Sequence, residues 1–72
     1  MITEVVVSGT IVPILEDSDT IAEDSTLDRF EKEISESPIG QKLRDEGFAL
    51  DDSEIDDEYN TDLTECSVTY TK

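Results

Sequence analysis

Apolar residues, most of them β-branched, dominate the start of the chain, in the run ITEVVVSGTIVPIL over residues 2–15. Such a run predicts a strand or a tight hairpin. Gly9 interrupts it and predicts a bulge or bend, whereas Pro13 lacks an N–H and predicts a sheet edge or a strand end. Alternation along a strand places four apolar side chains on one face: Val5, Val7, Ile11 and Leu15.

Helical spacing replaces alternation in the middle of the chain. Leu27, Phe30 and Ile34 fall at i, i+3 and i+7, which predicts a helix whose apolar stripe faces a core. This helix is expected to begin at Ser25 or Thr26.

A second, shorter helix is predicted after the SESP segment. Ser37 can cap it, with Pro38 at its first position. Gly47 lies just beyond the expected C-cap, and Phe48 can contact Leu43, which is the hydrophobic pairing of a Schellman ending. The inner face of this helix is expected to carry two apolar side chains, Ile39 and Leu43.

Alternation returns at the end of the chain, in LTECSVTYT. One face of this closing strand carries the apolar side chains Cys66, Val68 and Tyr70, and the other carries Glu65, Ser67 and Thr69. We therefore predict a single α+β domain over residues 1–72. Its N- and C-terminal strands form a two- or three-stranded antiparallel sheet, covered by two short central helices in the order β-(β)-α-α-β, with any extra strand in an N-terminal hairpin.

Charge changes this picture, because 20 acidic residues face only 5 basic ones, for a formal net charge of −15. The acids are segregated. Residues 1–28 hold seven acids and no base, residues 29–44 have a net charge of +1, and residues 45–71 hold ten acids and no base. Self-repulsion of this size works against compaction, so stability should rise with salt.

The densest acidic stretch, residues 51–65, has eight carboxylates and no base. Within it, residues 51–62 are expected to be an acidic loop or extended segment, since their composition is typical of chains that are disordered in isolation. If the segment is extended, charges on one side recur about every 6.6 Å. All six acids of residues 51–58 then average roughly one per 4 Å, close to the one charge per 3.4 Å of a single DNA strand. The side chains on that side are Asp52, Glu54, Asp56 and Glu58.

A second acidic track is expected either from a second subunit or from the earlier acidic cluster of Glu16, Asp17, Asp19, Glu23 and Asp24.

Residues that commonly carry catalysis are sparse. The chain has no His, so neither Cys66 nor any serine has an imidazole to activate it, and we predict that the protein is not an enzyme and needs no cofactor. The acids after Glu54 are spaced roughly as in a calcium-binding EF-hand loop, but Tyr59 occupies the position where the turn needs Gly, so no specific metal site is expected. The single cysteine and the lack of a signal-like or membrane-spanning apolar run indicate a cytoplasmic protein.

The leading hypothesis is an acidic binding protein that docks on the basic nucleic-acid-binding groove of a partner protein. In size, charge and lack of catalytic residues the chain resembles small phage-type inhibitors that mimic nucleic acid, including anti-restriction and anti-CRISPR proteins. The resemblance is compositional. Because phosphates and anionic lipids would repel this chain, we predict that it binds neither nucleic acid nor membrane directly. It is expected to be a monomer or homodimer, in the host cytoplasm if phage-encoded. The predicted partner-binding residues are Asp51, Asp52, Glu54, Ile55, Asp56, Asp57, Glu58, Tyr59 and Asp62, with Ile55, Tyr59 or Tyr70 as the apolar anchor.

Other interpretations remain open at this point. The acids can serve solubility or salt adaptation alone. The protein can be a structural or adaptor subunit that pairs through strand edges at residues 2–12 or 64–71. Finally, FALD at residues 48–51 resembles the leader element of some lanthipeptide precursors, and the TECSVTYTK tail offers the Thr, Ser and Cys that such processing uses.

Overall fold

In the computed structural model, which describes residues 1–57 and 60–72, a three-stranded sheet packs against two helices. The elements are β1 (Glu4–Ile11), α1 (Glu23–Glu36), α2 (Pro38–Asp45), β2 (Ala49–Ile55) and β3 (Thr64–Thr71). The strand order is β1-β3-β2, and both pairs are antiparallel. The predicted α+β class, with the terminal strands paired and two central helices, is confirmed.

The third strand differs in position from the expected one. It is β2, formed by the first part of the acidic segment, so the order is β-α-α-β-β instead of β-(β)-α-α-β. β2 forms because Leu50 and Ile55 both pack against the core while its acids point to solvent. An antiparallel strand with one solvated face tolerates that pattern.

β3 supplies the middle of the core. Cys66, Val68 and Tyr70 are at most 1% exposed, as their alternation predicts. Around them a cluster forms from both helices and the other strands; its remaining buried members are Ile11, Phe30, Leu43 and Phe48. Val5 and Val7 of β1 are only half-buried against this cluster.

α1 crosses the inner face of the sheet on its predicted apolar stripe, with Phe30 buried and Leu27 and Ile34 packed beside it. The Phe30 ring lies over Gly9, where an added Cβ would meet the ring at 3.4 Å. β1 pairs with β3 in an unbroken register, so the bulge expected at Gly9 is absent. The glycine instead lets an aromatic ring lie close to the strand.

The connection between β1 and α1 is tied down by Thr26. The buried Thr26 hydroxyl accepts a hydrogen bond from the Ile14 N–H (3.0 Å) and donates one to the Ile14 carbonyl (3.3 Å). α1 begins at Glu23, two to three residues earlier than predicted, and the side chain of its N-cap residue, Ala22, makes no capping hydrogen bond. Leu15 does not share the face of Val5 as expected, because the chain turns there and Leu15 forms an isolated bridge with Ile21.

α2 follows its local signals at both ends. The Ser37 hydroxyl accepts from the Gly40 N–H at 3.3 Å, and Pro38 occupies the first turn. At the C-terminus Gly47 has φ of 93°, and the Phe48 N–H donates to the Leu43 carbonyl, which is the predicted Schellman ending.

The prediction that Ile39 lies on the inner face of α2 is wrong. Ile39 is 46% exposed, whereas Gly40 is buried against α1 beside Leu43. The close approach of the two helix backbones at Gly40 rotates Ile39 toward solvent.

Candidate interaction surface on the sheet

Helices cover only one of the two faces of the sheet. Both helices pack on the inner face, and the opposite face, here called the outer face, carries polar and acidic side chains. Cross-strand partners share a face, so the register defines its members. They are Glu4, Val6, Ser8 and Thr10 on β1, Glu65, Ser67, Thr69 and Thr71 on β3, and Ala49, Asp52 and Glu54 on β2, continued by Asp56.

Three acids form a row on this face along β2, here called the acidic strip: Asp52, Glu54 and Asp56. Asp52 lies opposite Thr69 and Glu54 opposite Ser67, and all three acids are exposed. Alternate residues of a strand are about 6.6 Å apart. The spacing expected for an extended segment is therefore present over the described part of it, which is ordered by its pairing with β3 and not by its own composition.

The acidic strip meets a second carboxylate on β3. The Asp56 N–H donates to the Glu65 carbonyl at 2.7 Å, which places the two acidic residues directly opposite each other. Like charges in this position are destabilising. An Asp56 carboxylate oxygen also lies 3.5 Å from the Ser67 hydroxyl, which is its hydrogen-bond donor. A shallow concavity opens here, lined by Ser8, Gly9, Thr10, Asp56 and Glu65.

The other predicted binding residues do not all lie on the outer face. Asp51 is the extra residue of a bulge between Leu50 and Asp52, which lets the acids after it stay on the outer face. Ile55 is half-buried in the protein's own core and is therefore not on the surface that carries the acidic strip.

Beyond β2 the chain returns toward β3 through a short connection. The Asp57 carbonyl accepts a hydrogen bond from the buried Thr64 hydroxyl. Asp62 is exposed in this connection, and its N–H donates to the Asn60 side chain at 3.1 Å. The two remaining predicted residues, Glu58 and Tyr59, lie outside the described residues.

The acidic residues that follow β1 lie at the end of the sheet where β2 also ends. The register pairs Ile11 with Thr64 and Ile55 with Cys66, so the end of β1 and the end of β2 are neighbours across β3. The connection that follows β1 contains Glu16, Asp17 and Asp19, and a hydrogen bond from the Asp19 N–H lowers the pKa of Asp17. This cluster therefore follows the strand end that lies on the Asp56 side of the sheet, whereas Asp52, at the other end of the acidic strip, lies opposite Thr69.

All five basic side chains lie away from the outer face. Four belong to the helices on the other side of the sheet: Arg29, Lys32, Lys42 and Arg44. The Arg44 guanidinium donates to the Ser35 carbonyl at 2.9 Å, within the helix pair. The fifth, Lys72, has its ammonium 5.1 Å from the ring centroid of Phe48, which is an inner-face core residue. The outer face is therefore acidic without internal neutralisation.

The lone thiol is not arranged for chemistry. Cys66 is fully buried, and burial raises the pKa of its thiol, as does the nearby Asp56 carboxylate, so it is held in its unreactive protonated form. Over residues 1–57 and 60–72 no group of three or more acidic or sulfur side chains is arranged to hold a metal ion. In the same part of the chain no helix has the length and apolar character needed to cross a bilayer.

The predicted partner-binding set omits Glu4, Glu65 and Ser67, which lie on the outer face beside the acidic strip. The alternation of β3 predicts the polar face for Glu65 and Ser67, but nothing in the local sequence pairs Glu65 with Asp56. The Asp56–Glu65 pairing follows from the register of β2 against β3. It is predictable only if residues 49–55 are first known to form a strand.

No protein family, curated protein or solved structure shows a significant match to this chain. The geometry and charge of the surface therefore carry the functional argument.

Proposed function

We propose that this protein is a non-catalytic acidic binding protein that docks its outer face on the basic nucleic-acid-binding groove of a partner protein in the cytoplasm. The observation that supports the proposal is the outer face itself. It carries the acidic strip together with Glu65 and Glu4, and all five basic residues of the chain lie elsewhere.

The Asp56–Glu65 pair favours an external partner for these charges. Two carboxylates directly opposite each other weaken the sheet that holds them. A cationic side chain of a partner would relieve that repulsion, so the same pair that destabilises the free protein would stabilise the complex. Exposed single acids elsewhere on the molecule carry no such indication, since they are ordinary solvated charges.

The mechanism follows from electrostatics and occupancy. A patch of one sign steers a basic groove into contact and raises the association rate. Once docked, the acidic strip would occupy cationic sites that otherwise bind phosphates. Its repeat of about 6.6 Å along β2 gives roughly half the charge density of a DNA strand, which has one charge per 3.4 Å. The hydroxyl groups of Ser8, Thr10 and Thr69 lie on the same face as the acidic strip. They can donate hydrogen bonds to the partner or accept them from it. Nucleic acid would then be excluded without any reaction.

The experiment compares the wild type with two charge-matched quadruple variants. The outer-face variant carries Asp52→Asn, Glu54→Gln, Asp56→Asn and Glu65→Gln. The control variant neutralises four exposed acids on the helices through Asp28→Asn, Glu33→Gln, Glu36→Gln and Asp45→Asn. Both variants lose the same number of charges, so total charge alone cannot distinguish them.

Each protein is immobilised and incubated with a host lysate at low salt. Retained proteins are eluted stepwise with increasing salt. Their nucleic-acid binding is then assayed in the presence and absence of added wild-type protein. The proposal predicts a nucleic-acid-binding partner that is retained by wild type and control and released by moderate salt. The outer-face variant should bind this partner roughly tenfold or more weakly, since each exposed ion pair contributes about 0.2–1 kcal/mol. Equal retention by both variants, or a partner that still binds DNA or RNA when complexed, would overturn it.

The FALD segment has a structural explanation in this fold. Phe48 is buried at the end of α2, and the next three residues begin β2. The Cys66 of the proposed tail substrate is also buried. The geometry therefore supports the docking proposal better than a processed precursor.

A further inference from the structure

Within residues 1–57 and 60–72, β1 presents an unpaired edge to solvent. The sheet order leaves β1 and β2 as edge strands, whereas β3 is paired on both sides, so of the two segments considered for edge pairing only residues 2–12 contain a free edge. The Lys72 N–H donates to the Thr3 carbonyl at 3.0 Å, which identifies Thr3 and Lys72 as a directly hydrogen-bonded pair. Because such pairs alternate along an antiparallel ladder, the outward-pointing backbone groups belong to Glu4, Val6, Ser8 and Thr10.

The other edge is protected in ways that β1 is not. β2 carries the Asp51 bulge and several acids, and its Ser53 N–H is already bonded to the Asp52 carboxylate at 2.9 Å. Bulges and charges are the usual devices that prevent edge pairing. β1 has an unbroken eight-residue register, no Pro or Lys, and a single charge at Glu4.

Apolar surface is concentrated around the β1 edge. Val6 is 56% exposed and Ile2 is 69% exposed, and Met1 and Val12 at the two ends are exposed as well. α1 packs mainly over β2 and β3, which leaves the inward side chains Val5 and Val7 only half-buried. An added strand would cover apolar side chains on both faces of β1.

We propose that a second copy of this chain occupies this edge, with β1 pairing antiparallel to its counterpart about a two-fold axis at Ser8. This register places Ser8 opposite Ser8 and Val6 opposite Thr10, which aligns the outward-pointing backbone groups of both strands. It also keeps outer-face residues next to outer-face residues. The product is a continuous six-stranded antiparallel sheet with helices on one side.

Charge favours a second copy over a cationic partner at this edge. The only charged side chain that β1 offers to a cation is Glu4, whereas β2 offers the whole acidic strip. A basic chain would therefore be attracted to the β2 edge of the sheet and not to the β1 edge. In the dimer, Glu4 lies opposite Val12, and the two Glu4 residues are separated by about 27 Å, or eight residues along the strands. The two acidic strips lie on opposite edges of the sheet, roughly 24 Å apart across five strand spacings of about 4.8 Å. That separation exceeds the Debye length of about 8 Å at physiological salt, so the repulsion between copies is largely screened.

Dimerisation does not rest on the proposed docking function, although it would supply a second acidic strip. The two ideas also respond oppositely to salt. Pairing of like-charged copies through a nearly neutral edge should strengthen as salt is added, whereas docking on a basic groove should weaken. Failure of one is therefore distinguishable from failure of the other.

The test begins with the molar mass of the purified full chain, measured by light scattering over a range of concentration and salt. The expected mass approaches twice the 8.0 kDa of one chain at high concentration and moderate salt. Ser8→Pro should shift the mass to that of a monomer, because it removes an N–H that points away from β3 and leaves the internal sheet intact. Circular dichroism of this variant checks that the fold is retained.

Cysteine substitution tests the register independently, since Cys66 is fully buried. Ser8→Cys should form an intermolecular disulfide on mild oxidation, because directly bonded residues have Cα atoms about 5.5 Å apart, within the range a disulfide spans. Thr10→Cys is the matched control, since the two Thr10 residues are offset by four positions, or about 13 Å along the strand. A monomeric mass under all conditions, a dimer unaffected by folded Ser8→Pro, or cross-linking of Thr10→Cys in place of Ser8→Cys would each overturn the proposal.

Discussion

Gly40 shows how a single residue sets the packing of the two helices. A Cβ built at this position would lie 2.0 Å from the carbonyl oxygen of Ile34 and 2.9 Å from its carbonyl carbon. Both are backbone atoms of α1, so no side chain can move aside to make room. Glycine is a weak helix former, and its presence inside α2 is explained by this contact and not by any local preference.

Gly40→Ala is therefore expected to destabilise the protein, although Ala is the better helix former by up to about 1 kcal/mol. Overpacking against backbone typically costs about 1–3 kcal/mol, which outweighs that gain. Gly9→Ala is the control, because its Cβ would meet only the Phe30 ring, at 3.4 Å. Urea unfolding followed by circular dichroism gives both free energies. A Gly40→Ala variant as stable as Gly9→Ala would contradict the close helix contact.

The elements differ in how far their own sequence determines them. α2 has a capping serine, a first-turn proline and a glycine ending within eleven residues, and all three take the predicted positions. β2 has no such signals and is rich in residues that disfavour strands. It forms because β3 offers an unpaired edge and because Leu50 and Ile55 reach the core.

The local character of α2 gives a prediction for its cap. Ser37→Ala removes the acceptor for the Gly40 N–H, and loss of an N-cap costs about 1 kcal/mol, within a range of 0.5–2. Ser25→Ala, at an exposed position inside α1, should change stability little or raise it slightly because Ala favours helix. Thermal and urea unfolding of both variants measure the difference. Equal stabilities would show that the Ser37 hydroxyl contributes nothing as a cap.

At the scale of the whole molecule, charge is divided between the two sides of the sheet. The helices hold seven acids and four bases, whereas the charged residues of the outer face are all acids. The acidic clusters before α1 and after β2 lie at the same end of the sheet. The outer face, which neither helix covers, thus carries charge of one sign only.

This arrangement predicts that the free energy of unfolding rises as sodium chloride is added toward physiological ionic strength, because salt screens the repulsion between carboxylates. The two quadruple variants described above should both show a weaker salt dependence. The outer-face variant should show the weaker of the two, since it removes the directly opposed Asp56 and Glu65. Urea unfolding at several salt concentrations provides the measurement. Stability that falls with salt would mean that attractive pairs outweigh repulsion in the folded state.

Features that depend on neighbours along the chain are predictable from the sequence alone. The alternation of β3, the apolar stripe of α1 and both ends of α2 are local patterns, and each is present in the structure. The alternation of Asp52, Glu54 and Asp56 was also predictable, because side chains of any extended segment alternate. Other features become visible only in the three-dimensional fold: this segment pairs with β3, Glu65 lies opposite Asp56, Ile39 turns outward, and the β1 edge is unpaired among the described residues. These features depend on contacts between residues far apart in the chain, and local spacing carries no information about them.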